Sequence, residues 1–213
     1  MKILILQNRM GIGDMIMFLP FIEAISKKFK TPVTILAKKN TKVEMYFNNK
    51  EIVEEIMYLE REDNKKHSGV KGFFKLVNEL KLKKFDKVFI FNSSLRYFLI
   101  SKFSGIKEVF HYPLFKKKNQ QIIEAAKEFT LKSIGEDIES TPRLFLKEQD
   151  ILKAKKDHSI DQSITNIILG IGGSGKTKRV PASIFKSFMS KVLKRSNCRF
   201  FLMTGNNIDE LKI

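Results

Sequence analysis

The sequence predicts an α/β protein built on a doubly wound parallel sheet, and three observations carry that expectation. Short apolar runs of strand length alternate with longer segments whose apolar residues recur at helical spacing. The run at 86–91 is almost continuously apolar, as in a strand covered on both faces. Glycine-containing loops follow the first strand and the strand at 166–171, and each leads into a helical pattern.

Residues 2–7 (Lys-Ile-Leu-Ile-Leu-Gln) read as the first buried strand. The apolar run is brief and no small-residue cleavage site follows, so it is not a signal peptide. Residues 14–29 predict one helix, with Met15, Phe18, Leu19, Ile22, Ile25 and Phe29 at helical spacing. A strand at 33–37, a short helical stretch at 43–47 and a third strand at 52–59 follow. Residues 72–82 predict an amphipathic helix carrying Phe73, Leu76, Val77 and Leu80 on one face. Beyond the strand at 86–91 come a helix at 95–103, a strand at 106–110 and a helix at 120–134. The adjacent pairs Phe73/Phe74 and Phe200/Phe201 are read as core.

The texture changes over 139–161, where Pro142 precedes a short apolar run and then a polar, Lys-rich helical segment. The expected organisation is a Rossmann-like domain at 1–140, a linker at 141–165, and the start of a second such domain at 166–213. The second contains a strand at 166–171, a glycine-rich loop, a helix at 182–193 and a strand at 199–204. So small a unit buries too little surface to close its own core, and it is expected to be incomplete.

Hydrophobic content of 43% with 30% charged residues excludes a disordered chain. The apolar runs are too short to cross a bilayer. Cys198 is the single cysteine, which excludes a disulfide framework or thiolate metal cluster, and His67, His111 and His158 are not at metal-ligand spacing. The sequence therefore reads as cytoplasmic, with no metal or cofactor. A net charge of +17 attracts polyanions such as nucleic acid, anionic lipid or phosphorylated glycans. Compositional drift toward Lys, Asn, Ile and Phe accounts for it equally well. The lysines spread along the chain without a nucleic-acid motif, so no nucleic-acid partner is expected.

Gly170-Ile171-Gly172-Gly173-Ser174-Gly175-Lys176-Thr177 matches the phosphate-loop pattern G-x-x-x-x-G-K-[ST]. A nucleotide hydrolase of that kind needs its helix to start at the Gly-Lys-Thr, facing the anion. Pro181 stands against this, because proline removes a helical hydrogen bond and forces the preceding residue from helical space. Proline suits the first position of a helix beginning at Pro181 instead. The phosphate loop is therefore the alternative function.

The other reading is strand, long loop, then helix, with Lys178-Arg179-Val180-Pro181 before the helix. This resembles glycosyltransferase family 9, the heptosyltransferases, whose second domain opens with a strand, a small-residue loop and a Lys-Arg-Trp-Pro box. Val180 stands where the box has tryptophan. At the N-terminus Lys2-Ile3-Leu4, Gly13-Asp14 and Leu19-Pro20 resemble the family's first strand, Gly-Asp step and Leu-Pro helix. Residues 120–135 resemble its interdomain helix, 199–205 its next strand, and Asp209-Glu210 the acidic residues that follow. The family's later donor-site segment has no counterpart here.

The resemblance implies a GT-B-like fold of two Rossmann-like domains, the second incomplete. It implies transfer, with inversion, of a heptose-like sugar from an ADP-linked nucleotide-sugar donor to an anionic glycolipid acceptor of the lipopolysaccharide type. The enzyme would be cytoplasmic, with peripheral contact at the inner membrane face. Asp14 becomes the catalytic base that activates the acceptor hydroxyl, and it also reads as the N-cap of the helix at 15–29. Gly11 and Gly13 permit a tight loop at the acceptor, and Arg96 is placed to contact an anionic one. Lys178 would clamp the departing diphosphate, helped by the helix N-terminus and Ser174, with Gly173, Arg179 and Glu210 also on the donor side. Lys176 is a further assistant. A non-catalytic remnant and a basic nucleic-acid binder remain the other classes, the latter distinguished by steep salt dependence.

Overall fold

The computed structural model describes residues 1–9, 11–47, 50–114, 121–144, 146–172 and 179–204. The chain forms two compact units, Met1–Phe145 and Leu146–Ile213. Among the described residues no helix is long and apolar enough to cross a membrane.

The first unit runs β1 (Ile3–Gln7), α1 (Ile12–Ile16), α2 (Leu19–Phe29), β2 (Val33–Ala37), two 3-10 turns (Lys39–Thr41 and Val43–Met45) and β3 (Val53–Tyr58). It continues with α3 (Gly69–Lys83), β4 (Lys87–Ile90), α4 (Leu95–Phe103), β5 (Glu108–His111) and α5 (Ile122–Ile134). The strands form one sheet in the order β3-β2-β1-β4-β5, with parallel pairing throughout. Alternate residues of each strand face opposite sides. Ile3, Ile5, Phe89 and Phe91 meet Phe21, Ile22 and Ile25 of α2 and Phe129 of α5. Leu4, Leu6, Val88 and Ile90 meet Leu76, Val77 and Leu80 of α3 and Tyr97 and Ile100 of α4. The central strands are thus apolar on both sides because helices cover both. Phe91 anchors the first face, edge-on to Phe18 and Phe129 at 5.1 Å each.

The segment 14–29 is two helices, not one. Pro20 lies in the first turn of α2, where its missing N–H costs nothing; continuing from α1 would drive its ring against the Ile16 carbonyl. The chain therefore restarts at Leu19. The helix at 72–82 begins earlier, at Gly69, since Gly72 carries it past the backbone of the preceding loop. Helix α5 ends at Gly135, whose φ of 76° and N–H bond to the Leu131 carbonyl (2.8 Å) form a left-handed cap. Phe73 packs against the core as expected, but Phe74 is 57% exposed, one position off the buried face of α3.

Between β3 and α3, buried His67 is fixed by four contacts. Its Nδ1 accepts the Glu60 N–H (3.1 Å), so its proton sits on Nε2, which donates to Glu79 (3.1 Å). Its own N–H bonds the Glu60 carbonyl (2.8 Å), and its carbonyl accepts from Arg96 (3.0 Å). Burial works to raise the Glu79 pKa, but the hydrogen bonds from Lys66 and His67 and the Lys66 charge outweigh it and hold the carboxyl below its ordinary 4.5. A depressed carboxylate contributes stability that is complete above its unfolded value and is lost as pH falls through the folded one. Glu79→Gln should therefore flatten the loss of stability below pH 4.5, read by urea titration across that window.

The second unit contains α6 (Glu148–Asp157), β6 (Thr165–Gly170), α7 (Ala182–Leu193) and β7 (Cys198–Met203). Strands β6 and β7 pair in parallel from Thr165↔Cys198 to Gly170↔Met203. Phe188 of α7 packs edge-on against Phe200 at 6.1 Å, covering one sheet face. On the other face Ile168 and Met203 are mostly exposed.

Candidate functional site

In the first unit the chain leaves β1 toward the α2 face and leaves β4 toward the α4 face. These two strands are neighbours, so their following loops diverge and open a crevice at the carboxyl ends of the strands. Open α/β sheets bind ligands at such a switch point.

Asp14 stands on the β1 side of that crevice. It lies in the first turn of α1, and the N-cap is Gly11, which corrects the expectation that Asp14 caps the helix. Gly11 has φ 105° and ψ 155°, a region open to glycine alone. A Cβ built there would lie 3.6 Å from Asp14 Oδ2, which shows how closely the carboxylate folds over the loop. Gly13 does not shape a loop; it is a helical residue of α1. Gly11→Ala should cost about 1–3 kcal/mol through backbone strain, seen as a lower urea midpoint, and displace Asp14. Gly13→Ala should be neutral or slightly stabilising, since nothing lies within 4 Å of its Cβ position.

Arg96 begins α4 on the β4 side. Its guanidinium donates to the carbonyls of His67 (3.0 Å) and Gly69 (2.9 Å) and lies 5.4 Å over the Phe73 ring. Burial and then the neighbouring Arg61 charge depress its pKa. Arg61 in turn lies 5.8 Å over the Tyr97 ring. Two guanidinium groups are thus held on aromatic faces near one another at the carboxyl edge. Sequence reasoning missed Arg61; its one legible signal was its position just past the end of β3.

In the second unit, Gly173, Ser174, Lys178 and Glu210, with the assistant Lys176, lie outside the described residues. Arg179 is half-buried, two residues before Pro181. Pro181, at φ −58° and ψ 142°, is the extended N-cap of α7, whose first helical residue is Ala182. Residues 179–181 are therefore not helical, and the helix that follows starts at Ala182, beyond the Gly-Lys-Thr at which a phosphate loop needs its helix to begin. The N-terminus of α7, with no acidic residue in its first turn and no side-chain cap, presents the positive end of the helix dipole. Among the described residues no cluster of His, Cys, Asp and Glu could hold a metal ion.

No protein-family model matches the sequence, and neither does any curated protein sequence. Solved structures match over nearly the whole chain. A glycosyl transferase family 9 protein from Veillonella parvula is 15% identical with a TM-score of 0.64, over 97% of this chain and 70% of its own. The E. coli heptosyltransferase WaaC, solved with ADP, is 15% identical with a TM-score of 0.63, over 100% of this chain and 70% of its own. A UDP-GlcNAc 2-epimerase from Neisseria meningitidis, bound to UDP-GlcNAc, is 16% identical with a TM-score of 0.52, over 100% of this chain and 67% of its own. The chain thus shares its α/β, GT-B-like fold with glycosyltransferase family 9 structures.

Proposed function

We propose that this chain is a nucleotide-sugar-dependent glycosyltransferase that moves a heptose-like sugar from an ADP-linked donor to an anionic, lipopolysaccharide-type acceptor at the cytoplasmic face of a membrane. The observation that carries this reading is the switch-point crevice, with the Asp14 carboxylate folded over Gly11 on one side and Arg61 and Arg96 on the other. A carboxylate can take the proton of an acceptor hydroxyl, and the arginine pair suits an acidic acceptor. The hydroxyl oxygen then bonds the anomeric carbon as the bond to the diphosphate breaks, inverting that centre. ADP leaves with the bonding electrons. Lys178, Ser174, Gly173, Arg179 and the N-terminus of α7 would neutralise the departing diphosphate, and Glu210 would contact the donor's nucleoside. The likeness to a structure solved with ADP supports that choice of nucleotide.

Thermal-shift titration with ADP, ADP-sugar and MgATP tests this on the wild type, Lys176→Ala and Lys178→Ala. A ligand at a hundredfold excess over its Kd adds about 2.7 kcal/mol of stability, an easily read shift. Stabilisation by ADP without magnesium, lost in Lys178→Ala, is the expected result. Stabilisation by MgATP alone, lost in Lys176→Ala, would overturn it.

A further inference from the structure

The outer faces of α3 and α4 carry an apolar surface that the first unit leaves uncovered. Only Tyr97, Ile100 and Ser101 of α4 are buried, although apolar residues run around most of the helix. A helix apolar all round is normally covered all round. Here Leu95 and Phe103 stand outward instead, Phe103 with 62% of its surface exposed. On α3, Val70 is 73% exposed and lies one helical turn from the exposed Phe74, on the same stripe. Phe73 joins the two helices, its ring edge-on to Phe74 at 5.2 Å and to Phe103 at 6.0 Å. Single exposed apolar residues are ordinary, but a connected set across two helices marks a contact surface.

The charge around this surface is of one sign. Between the start of α3 and Lys107, nine lysines and arginines stand against two acids. Both acids are engaged, Glu79 with His67 and Lys66 and Asp86 with the Lys2 N–H (2.7 Å). Lys71 and Lys75 each follow one of the exposed apolar residues of α3, and both are exposed themselves. On α4, Lys102 holds its ammonium 5.9 Å over the Phe98 ring.

Apolar side chains interleaved with cations select among partners. A bilayer interface presents negative headgroups directly above an apolar layer, so it takes up ammonium groups and phenyl rings together. A nucleic acid would use the lysines but leave Val70 and Leu95 in water. Both helices also begin at the carboxyl edge, α3 beyond the loop that carries Arg61 and α4 with Arg96 in its first turn. A bilayer on their outer faces therefore lies beside the crevice, where a lipid-linked acceptor reaches it without leaving the membrane. We propose that the outer faces of α3 and α4 are the surface by which this chain docks on an anionic lipid bilayer, a proposal that rests on the transferase reading. Phe74 and Phe103 enter the acyl boundary, and Lys71 and Lys75 meet the headgroups.

The chain has no tryptophan, so a single introduced indole reports its own surroundings. The test is fluorescence titration of Phe74→Trp and Phe103→Trp with vesicles of phosphatidylglycerol and phosphatidylcholine in equal parts. Leu152→Trp, at an exposed position of α6 in the second unit, is the control. The first two should shift to the blue on binding and Leu152→Trp should not. Cosedimentation with the same vesicles then compares the wild type with Lys71→Gln/Lys75→Gln and with Lys153→Gln/Lys156→Gln, which lose equal charge. A lysine at an anionic surface is worth about fivefold in affinity, so the first pair should weaken binding by about thirtyfold and the second by less than about threefold. Vesicles of phosphatidylcholine alone should bind at least about tenfold more weakly. All four lysines are exposed, so these variants keep the fold should an indole disturb it. No vesicle binding, no blue shift at Phe74 and Phe103, an equal shift at Leu152, or equal weakening by the two lysine pairs would each overturn the surface. Displacement of the vesicles by single-stranded RNA, with RNA binding lost in Lys71→Gln/Lys75→Gln, would assign the face to nucleic acid and overturn it as well. ADP affinity, measured in parallel, keeps the two readings apart. Failed vesicle binding with ADP binding intact sinks only the surface, whereas vesicle binding without ADP binding keeps the surface and sinks the transferase.

Discussion

Asp14→Asn should lower sugar transfer by about 10²–10⁴-fold, the usual contribution of a general base, while leaving the protein folded and able to bind ADP. Asparagine keeps the shape of the side chain over Gly11 but cannot take the acceptor's proton. The stability change should stay within about 1 kcal/mol, since a carboxylate in the first turn of a surface helix is worth about 0.3–1 kcal/mol. Initial rates of ADP release, with Tm and ADP affinity measured on the same preparation, separate the outcomes. Full activity in Asp14→Asn would remove Asp14 from the chemistry. Equal loss of rate, fold and ADP binding would make it a structural residue.

The second large effect is on stability. Gly72→Ala should cost about 3 kcal/mol, at the upper end of overpacking penalties, and lower the Tm by about 6–12 °C. A Cβ at Gly72 would lie 2.1 Å from the carbonyl carbon of His67 and 2.6 Å from its Cα and oxygen. That backbone cannot retreat. The His67 N–H and ring are tied to Glu60, Nε2 to Glu79, and the carbonyl to Arg96. The sign is what makes the test sharp, because glycine to alanine within a helix ordinarily stabilises by about 0.5–1 kcal/mol. Lys71→Ala, one residue away and exposed, should stay within about 0.5 kcal/mol. Because the same loop carries Arg61 and receives Arg96, Gly72→Ala should also weaken binding of an anionic acceptor.

Much of the first unit was legible in the sequence because its signals are local. Strand and helix periods, the proline-led start of α2 and the glycine cap of α5 each depend on a few consecutive residues. The same locality explains the errors. Period counting ran α1 and α2 together, since Met15, Phe18, Leu19 and Ile22 keep helical spacing across the break that Pro20 forces. It placed Phe74 in the core beside Phe73, although adjacent helical residues point about 100° apart and only one can face the sheet. Asp14 was visible as a chemical group, but its place inside α1 depended on the glycine-only geometry of Gly11.

By itself the sequence determined the alternation of elements, the apolar character of the central strands and the start of α7 after Pro181. These follow from backbone sterics and side-chain periodicity, which act over a few residues. Only the tertiary structure decided the strand order, and with it the crevice between β1 and β4. It also decided that Arg61 and Arg96 share one edge, and that Gln7 and Tyr112 fall in one row on either side of Phe91. Hydrogen-bond partners and charge neighbours are set by strand register between distant segments, and no local pattern encodes them.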